Sequence, residues 1–177
     1  GIGVGFDPLG AVTLEIQQPE YTNETYTVPD SREGWVESVQ ILLNGFFFGA
    51  KVPKIDYSAI RPYGALIKGF GGTSSGADPL KELHDSLTEL YSGRAGQPIT
   101  SVDIVDTENL IGRCVVAGNV RRSAALALGN HEDFEYLQMK NDSEKLAHHR
   151  WGSNNSFHAI VGQDYTWHAE QSQKNGE

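Results

Sequence analysis

Two stretches of the sequence have the residue types that bind phosphate groups. The stretch "KGFGGTSSGAD", residues 68–78, starts with Lys68 and contains four glycines and three hydroxyl side chains, so many backbone N–H groups are unobstructed. The stretch "AGNVRRSA" places Arg121 and Arg122 behind a Gly-Asn pair, and a guanidinium group fits phosphate oxygens and base edges. The Gly-rich stretch matches neither standard phosphate-binding fingerprint, so a plain flexible loop remains an alternative, and a surface ion-paired arginine pair at a helix end is the alternative for Arg121 and Arg122.

Three further groups of residues have polar chemistry in a weaker pattern. Ser153, Asn154 and Asn155 come just before an apolar stretch and offer amide and hydroxyl groups where ligands of α/β proteins bind, although a local turn is an alternative. Cys114 lies in the apolar half of a predicted helix, which favours a small buried core residue over a nucleophile. The adjacent histidines at 148–149 are expected to point to different sides, which predicts a helix end and not a metal site.

The composition argues against several classes of function. The chain has 177 residues with 14 Lys and Arg against 23 Asp and Glu, a formal charge of -9, which argues against broad binding of nucleic acid or anionic membranes. The single cysteine rules out an internal disulfide and fits a reducing compartment. No stretch has the length of a membrane span, so we expect a soluble, cytoplasmic protein without a nucleic-acid or membrane partner. The chain begins on Gly1 without a methionine, and we expect a segment of a longer protein.

Hydrophobic periodicity and capping residues predict an alternation of strands and helices. Residues 1–16 have the pattern of two short strands around a turn, and residues 21–28 have strand propensity. A helix is predicted over 31–48, capped by Asp30 or Ser31. Its predicted apolar face consists of Trp35, Val36, Val39, Leu42, Leu43 and Phe46.

The rest of the chain continues this alternation. A proline-containing connection over 50–64 leads into the Gly-rich loop. The later elements are predicted as helices over 78–91 and 100–116, a strand over 120–128, a charged helical segment over 132–149 and a strand over 156–161. This order predicts an α/β fold with a mainly parallel sheet.

Five segments, in order along the chain, resemble one enzyme family. They are "GIGVGF", "DSREGWV", "YSAIRPYGALIKGFGGTSSG", "NLIGRCVVAGNVRRSAALALG" and "KLAHHRWGSNNS". Together they are similar to the adenosylcobalamin-dependent ribonucleoside-triphosphate reductases, the monomeric class II ribonucleotide reductases, and the likeness extends from Gly1 to about Ser156. The resemblance implies a ten-stranded α/β barrel, of which residues 1–177 are one segment, and an inserted helical element over about 20–58 that completes an effector site.

The resemblance also implies a chemistry that the chain cannot perform alone. Members of this family convert ribonucleoside triphosphates to 2'-deoxyribonucleotides with a thiyl radical that adenosylcobalamin starts, and two further cysteines supply electrons that a thioredoxin-type reductant restores. The chain has one cysteine, Cys114, whose position matches none of these. We therefore expect no catalytic residue and no metal site in this chain, with adenosylcobalamin bound mainly by other parts of a monomeric enzyme.

By the same resemblance, the polar loops form the allosteric machinery. The residues implied to bind a deoxynucleoside triphosphate effector are Asp30, Ser31, Lys68, Gly71, Gly72, Thr73, Ser74 and Ser75. Those implied for the specificity loop between effector and substrate base are Gly118, Asn119, Arg121 and Arg122, and those implied to face the substrate are Gly3, Gly5, Ser153, Asn154 and Asn155. The alternative is a non-catalytic deoxynucleotide-binding regulatory domain. An isolated barrel fragment is expected to be poorly stable or to self-associate, because strand edges and apolar faces stay uncovered.

Overall fold

The computed structural model describes residues 3–68, 71–117 and 123–175 of the chain. The chain divides into two compact units. The first, which we call the cleft unit, comprises Thr13–Ile99 and Cys114–Arg121, and the second, the sheet unit, comprises Gly1–Val12, Thr100–Arg113 and Arg122–Glu177. The residues predicted for the specificity loop lie outside the described residues, namely Gly118, Asn119, Arg121 and Arg122.

Both helices and strands occur throughout the described residues. In chain order they are β1 (Gly3–Phe6), β2 (Glu20–Thr27), α1 (Arg32–Phe48), β3 (Lys51–Asp56), α2 (Asp78–Tyr91), α3 (Ser101–Val116), β4 (Ala124–Asn130), α4 (Phe134–Gln138), α5 (Ser143–His148), β5 (Ser153–His158) and α6 (Thr166–Asn175). The pairings between these strands are parallel, which confirms the predicted mixture of helices and parallel strands. The parallel strands form two sheets and not one, a three-stranded sheet and a two-stranded sheet.

The cleft unit is built on a β-α-β crossover. β2 and β3 pair in parallel, and α1 connects them, so the predicted strand and the helix after it are confirmed. The predicted connection over 50–64 is wrong in its first half, because β3 occupies it. Pro53 is compatible with a strand here, since a two-stranded sheet has only edge strands and an edge strand tolerates a residue without an N–H.

The buried face of helix α1 combines small residues with two large apolar side chains. Its buried residues are Gly34, Ser38, Leu42, Gly45 and Phe46. A Cβ on Gly34 would lie 2.6 Å from the carbonyl oxygen of Pro29, and a Cβ on Gly45 would collide with Val52, so both glycines allow a close approach of neighbouring chain. The predicted apolar face is therefore only partly right, since Val36 is exposed.

Residues 12–16 do not form the second predicted strand. Ala11–Thr13 is a single 3-10 turn, and beyond it Glu15 makes an isolated antiparallel bridge with Pro98. The backbone N–H of Ile16 donates to Gln97 O at 2.8 Å beside this bridge. The pairing is limited to one bridge because its partner, residues 92–98, is a series of turns and not a strand.

The sheet unit contains a three-stranded parallel sheet with β4 in the middle. β1 pairs with one side of β4 and β5 with the other. The core beside the sheet consists of the buried side chains of Val105, Ala127, Tyr136 and Met139. The Tyr136 hydroxyl lies 3.0 Å from the carbonyl oxygen of Ala127 and 2.7 Å from that of Ser156, so α4 is tied to both β4 and β5.

The segment over 132–149 is not one helix. The carboxylates of Asp133 and Asp142 each accept a hydrogen bond from a backbone N–H three residues later, which starts α4 and α5 separately. β5 begins at Ser153, three residues before the predicted start, so Asn154 and Asn155 lie within the strand and not ahead of it. The helices predicted over 78–91 and 100–116 are confirmed as α2 and α3.

Candidate functional site

A cavity in the cleft unit brings together polar residues that are far apart in the sequence. The cavity, which we call the cleft, has a volume of about 400 Å³, a size typical of small-molecule sites. Its lining comes from the start of α1, the connection after β3 and the end of α3, and consists of Asp30, Ser31, Arg32, Trp35, Val36, Arg61, Ile67, Thr73, Ser74, Ser75, Cys114 and Val115. Five of the eight residues predicted to bind an effector lie here, namely Asp30, Ser31, Thr73, Ser74 and Ser75.

Asp30 and Ser31 form the wall at the amino end of α1. Ser31 has an extended backbone and caps the helix, because its Oγ accepts a hydrogen bond from the N–H of Gly34 at 3.0 Å. Of the two predicted caps, Ser31 is therefore the one used. The first turn of a helix presents backbone N–H groups at the positive end of the helix dipole, which favours a bound anion. This wall combines a carboxylate with a helix end that attracts negative charge.

The loop predicted over 68–78 folds back on itself. The N–H of Ile67 donates to Gly72 O at 3.1 Å, and the N–H of Ser74 donates to Ala65 O at 2.8 Å. Gly71 and Gly72 have φ angles of 74° and 84°, a left-handed conformation that favours glycine. These two glycines form the turn that returns the following hydroxyl residues to the cleft.

No sequence pattern pointed to Arg61 as a site residue. Its Nε donates to Asp30 Oδ2 at 2.6 Å, and its Nη1 lies 3.4 Å from the carbonyl oxygen of Leu66. The side chains of Arg61 and Asp30 are 34% and 33% exposed. The carboxylate of Asp30, which the resemblance implies for effector binding, is thus paired with a cation in the cleft wall. The available signal was the position of Arg61 inside the segment "YSAIRPYGALIKGFGGTSSG", which resembles the reductase family.

The remaining wall of the cleft is apolar. It consists of Trp35, Val36, Ile67, Cys114 and Val115. Cys114 is half-buried in this wall, which corrects the prediction of a buried core residue. Burial, together with the nearby carboxylate of Glu82, raises the pKa of the Cys114 thiol to about 11. The thiol is therefore protonated at neutral pH and is a poor nucleophile.

Lys68 lines a neighbouring cavity of about 380 Å³ and not the cleft itself. The other lining residues of that cavity are Arg61, Ala65, Leu66 and Ile67. Arg61 and Ile67 line both cavities. The two basic side chains, Arg61 and Lys68, therefore border the same loop.

The residues predicted to face the substrate lie in the sheet unit. Gly3 and Gly5 belong to β1, and Ser153, Asn154 and Asn155 open β5, so all five lie on the two parallel strands that flank β4. A Cβ on Gly5 would meet no atom within 4 Å, and a Cβ on Gly3 would make one ordinary contact at 3.8 Å. The packing of the described residues therefore does not require glycine at either position. Ser153 is buried, and its Oγ donates to Asn155 Oδ1 at 3.0 Å.

The sheet unit contains a buried ion pair that no sequence pattern predicted. Nε and Nη2 of Arg150 donate to the two carboxylate oxygens of Asp106 at 2.8 and 2.7 Å, and Nε2 of His149 lies 2.9 Å from Oδ1. Burial alone would raise the pKa of Asp106, but the hydrogen bonds and charges of Arg150 and His149 outweigh burial and hold this pKa below its ordinary value. A buried carboxylate with this set of donors is a structural group that stays ionised.

The prediction that His148 and His149 point to different sides is wrong. Their Nδ1 atoms lie 3.0 Å apart, and their rings meet edge to face. The reason is local geometry, since α5 ends at His148 and His149 has a φ of -147°, outside the helical range. Nε2 of His148 lies 2.6 Å from Nη1 of Arg113, so the two rings connect α3 to the end of α5.

The described residues contain neither a cluster suited to a metal ion nor a helix suited to cross a membrane. Within residues 3–68, 71–117 and 123–175, no group of three or more His, Cys, Asp or Glu side chains is arranged to hold a metal ion. None of the helices described there is both long enough and apolar enough to cross a bilayer.

Comparison with known proteins gives a consistent set of relatives. Residues 8–90 match the family model of the insertion domain of B12-dependent ribonucleotide reductases. The whole chain is 45% identical to the probable adenosylcobalamin-dependent ribonucleoside-triphosphate reductase of Dictyostelium discoideum and covers 26% of it. It is 46% identical over its whole length to the corresponding reductase of Euglena gracilis, of which it covers 25%. With the Lactobacillus leichmannii enzyme the identity is 50% over 74% of this chain and 18% of that enzyme.

A solved structure agrees with these relatives. A crystal structure of a B12-dependent (class II) ribonucleotide reductase matches with a TM-score of 0.83 and 34% identity, covering 99% of this chain and 29% of that one. The chain spans about a quarter of the length of the curated relatives from Dictyostelium discoideum and Euglena gracilis. The resemblance carried by the five segments is confirmed: residues 8–90 match the insertion-domain model of the B12-dependent ribonucleotide reductases, and the whole chain is similar in sequence and fold to members of that family.

Proposed function

We propose that the chain is the part of an adenosylcobalamin-dependent ribonucleoside-triphosphate reductase that binds the allosteric effector, and that the cleft is the effector site. The observation that carries this proposal is the cleft itself. Residues 30–31 and 73–75, which come from two of the segments that resemble the family, line one cavity of about 400 Å³ beside Arg61. The ligand that we assign to this cavity is a deoxynucleoside triphosphate.

The parts of a deoxynucleoside triphosphate match the walls of the cleft. The apolar side chains, Trp35 and Val36 among them, suit the faces of a base. The Asp30 carboxylate is an acceptor for a sugar hydroxyl. The amino end of α1 and the Arg61 guanidinium suit phosphate oxygens. Lys68 on the neighbouring cavity extends this positive surface along a chain of phosphates.

The remaining predicted assignments belong to the same proposal. Residues 1–177 are one segment of a ten-stranded barrel, and the element over about 20–58 completes the effector site. The loop over 118–122 transmits the identity of the effector to the choice of ribonucleotide. A Cβ would meet no atom within 4 Å at Gly5 and one atom at 3.8 Å at Gly3, and this open space supports an approach of the substrate to β1.

Nucleotide reduction is proposed for the whole protein and not for these residues. The relatives are named as adenosylcobalamin-dependent, and this cofactor supplies the radical that starts reduction. The residues of this chain do not fit that step, because its single cysteine, Cys114, has a pKa of about 11 and lines the effector cleft. The ribonucleoside triphosphate substrate, the cofactor and a thioredoxin-type reductant are therefore assigned to the full-length, monomeric enzyme.

Thermal melting of the full-length protein with each of the four deoxynucleoside triphosphates tests the effector site. A ligand that binds only the folded state stabilises it by about 2.7 kcal/mol at about a hundred times its Kd. We expect Tm to rise for the wild type and for Asp78→Asn, which removes an exposed carboxylate outside the cleft, but not for Asp30→Asn. A folded wild-type protein whose Tm no nucleotide raises would contradict the proposal.

A further inference from the structure

A chain of hydrogen bonds in the cleft unit connects the residue after β3 with α2 and α1. The Tyr57 hydroxyl lies 2.6 Å from Nδ1 of His84, and Nε2 of His84 lies 3.3 Å from Oγ of Ser38. Ser38 Oγ in turn donates to the carbonyl oxygen of Trp35 at 2.8 Å. Ser38 and His84 are both buried. We call these four residues the relay.

The direction of the relay follows from its two ends. The Ser38 hydroxyl has one proton and gives it to Trp35 O, so it accepts from Nε2 of His84. Nδ1 of His84 then accepts from the Tyr57 hydroxyl, which requires a neutral imidazole with its proton on Nε2. Burial, which outweighs the attraction of Asp85, lowers the pKa of His84 to about 4 and keeps the ring neutral. One tautomer therefore satisfies all three hydrogen bonds.

The two ends of the relay lead to two different walls of the cleft. Trp35, whose carbonyl ends the relay, lines the cleft from the first turns of α1. Tyr57 starts the connection to Arg61, and the N–H of Ile60 donates to Tyr57 O at 3.0 Å, so this connection is a tight turn. Arg61 lines the cleft beside Asp30. His84, which lies on α2, thus joins the segments that carry both walls.

We propose that His84 is a positioning residue of the effector cleft, which sets the spacing between the Trp35 wall and the Arg61 wall. This proposal deepens the proposed effector function and rests on it. Buried polar groups must stay hydrogen-bonded, so a side chain at 84 that cannot form these bonds leaves the Tyr57 hydroxyl without its acceptor and the Ser38 oxygen without its donor. Movement of α1 or of the connection to Arg61 then lets these hydroxyls bond to water or to other polar groups, and the width of the cleft changes.

Equilibrium binding of each deoxynucleoside triphosphate to the full-length protein tests the positioning role. His84→Leu removes both relay bonds, while His84→Gln keeps a carboxamide that can donate to Ser38 and accept from Tyr57. Leu87→Ala is the matched control, because Leu87 is buried on the same helix and its truncation destabilises the protein without touching the relay. All variants are measured at a temperature at which circular dichroism shows each of them folded.

We expect His84→Leu to raise Kd by about fivefold or more, the equivalent of one net hydrogen bond, and His84→Gln to restore part of this loss. Leu87→Ala should leave Kd within about twofold of the wild-type value, since a general loss of stability does not change the affinity of the folded protein. Equal Kd values for His84→Leu and Leu87→Ala would overturn the proposal, because both variants would then act through stability alone.

The alkylation rate of Cys114 by iodoacetamide, followed by mass spectrometry without nucleotide, separates the two proposals. Cys114 lines the cleft, so its access reports on the position of the walls independently of any ligand. If the wild type binds no nucleotide, the proposed effector function is overturned. The alkylation rate of Cys114 then tests the positioning role of His84 without a ligand. Faster alkylation in His84→Leu than in Leu87→Ala then supports the positioning role, and equal rates in the two variants overturn it.

Discussion

The ion pairs of Asp106 with Arg150 and of Asp30 with Arg61 have the same chemical groups in opposite surroundings. In the sheet unit, Arg150 holds both oxygens of Asp106, and the two side chains are 5% and 3% exposed. In the cleft unit, Arg61 holds one oxygen of Asp30, and about a third of each side chain is exposed. The difference between the pairs is how much water reaches them.

Access to water decides which pair is able to exchange its partner for a ligand. A buried pair is stable only with a complete set of hydrogen bonds, and Arg150 also donates to Met139 O while His149 supplies a further contact to Asp106. Opening that pair would leave a charge buried and unpaired. The pair of Asp30 and Arg61 contributes only about 0–1 kcal/mol, so it opens at little cost. Suitability for a ligand therefore depends on burial and not on the type of charge.

The largest expected effect comes from breaking the buried pair. Asp106→Asn keeps the shape of the side chain but removes the negative charge that compensates Arg150. We expect the free energy of unfolding to fall by about 3–5 kcal/mol. Urea denaturation followed by circular dichroism measures this loss. A loss below about 1 kcal/mol would mean that burial does not distinguish the two pairs.

His84 extends the comparison to a buried titratable side chain whose side-chain hydrogen-bond partners, Tyr57 and Ser38, are uncharged. Its pKa is about 4 in the folded protein against an ordinary value of 6.5, so the unfolded chain takes up a proton first as the pH falls. The contribution of the neutral ring to the free energy of unfolding is therefore fully present above pH 6.5. It is lost as the pH falls from 6.5 to about 4, and the total loss is about 3 kcal/mol.

Unfolding free energies of the wild type and of His84→Gln at several pH values measure this titration. The variant has no group that titrates at position 84, so the two curves should approach each other between pH 6.5 and 4 and run parallel above that range. Parallel curves over the whole range would show that the histidine is not held in its neutral form.

A smaller effect is expected where the cleft wall is made by a helix cap. Ser31→Ala removes the Oγ that accepts the Gly34 N–H, and we expect a loss of about 1 kcal/mol in unfolding free energy. Ser31→Asn keeps a capping side chain and should retain most of the stability. Chemical denaturation of both variants measures the difference, and equal losses would assign the effect to something other than the cap.

The smallest expected change in stability comes from opening the pair in the cleft. Asp30→Asn should change the free energy of unfolding by less than about 1 kcal/mol, because water replaces the lost charge. The same variant should lose the increase in Tm caused by nucleotides. A loss of several kcal/mol on urea denaturation would instead show that Asp30 and Arg61 form a structural pair like Asp106 and Arg150.

Elements with a local signal were predictable from the sequence. The cap at Ser31 and the Asp-Pro start of α2 act within one turn of the chain, so residue type alone indicates them. The buried face of α1 was only partly predictable, because glycines bury a helix face by close approach while hydrophobicity scores do not count them as core. β3 was missed because its alternation is broken by Pro53 and two lysines.

The residues of the cleft were predictable only where they lie in segments that resemble the family. Asp30 and Thr73 were found in this way, and both line the cavity. The partner of Asp30 was not, because an ion pair between residues 30 and 61 depends on how the tertiary structure brings them together. The same holds for Asp106 and Arg150, whose burial no local pattern indicates.

The parallel pairing of β1 with β4 affects how the chain folds during synthesis. β1 leaves the ribosome before the cleft unit and β4 after it, so the pairing of Gly3 with Ala124 cannot form until Ala124 has been made. At usual synthesis rates this interval is about ten seconds. The β-α-β crossover closes over a short segment and can fold meanwhile. β1 has the sequence GVGF, and a strand that is half glycine has low β-propensity and little apolar surface, which reduces mispairing while the nascent strand waits.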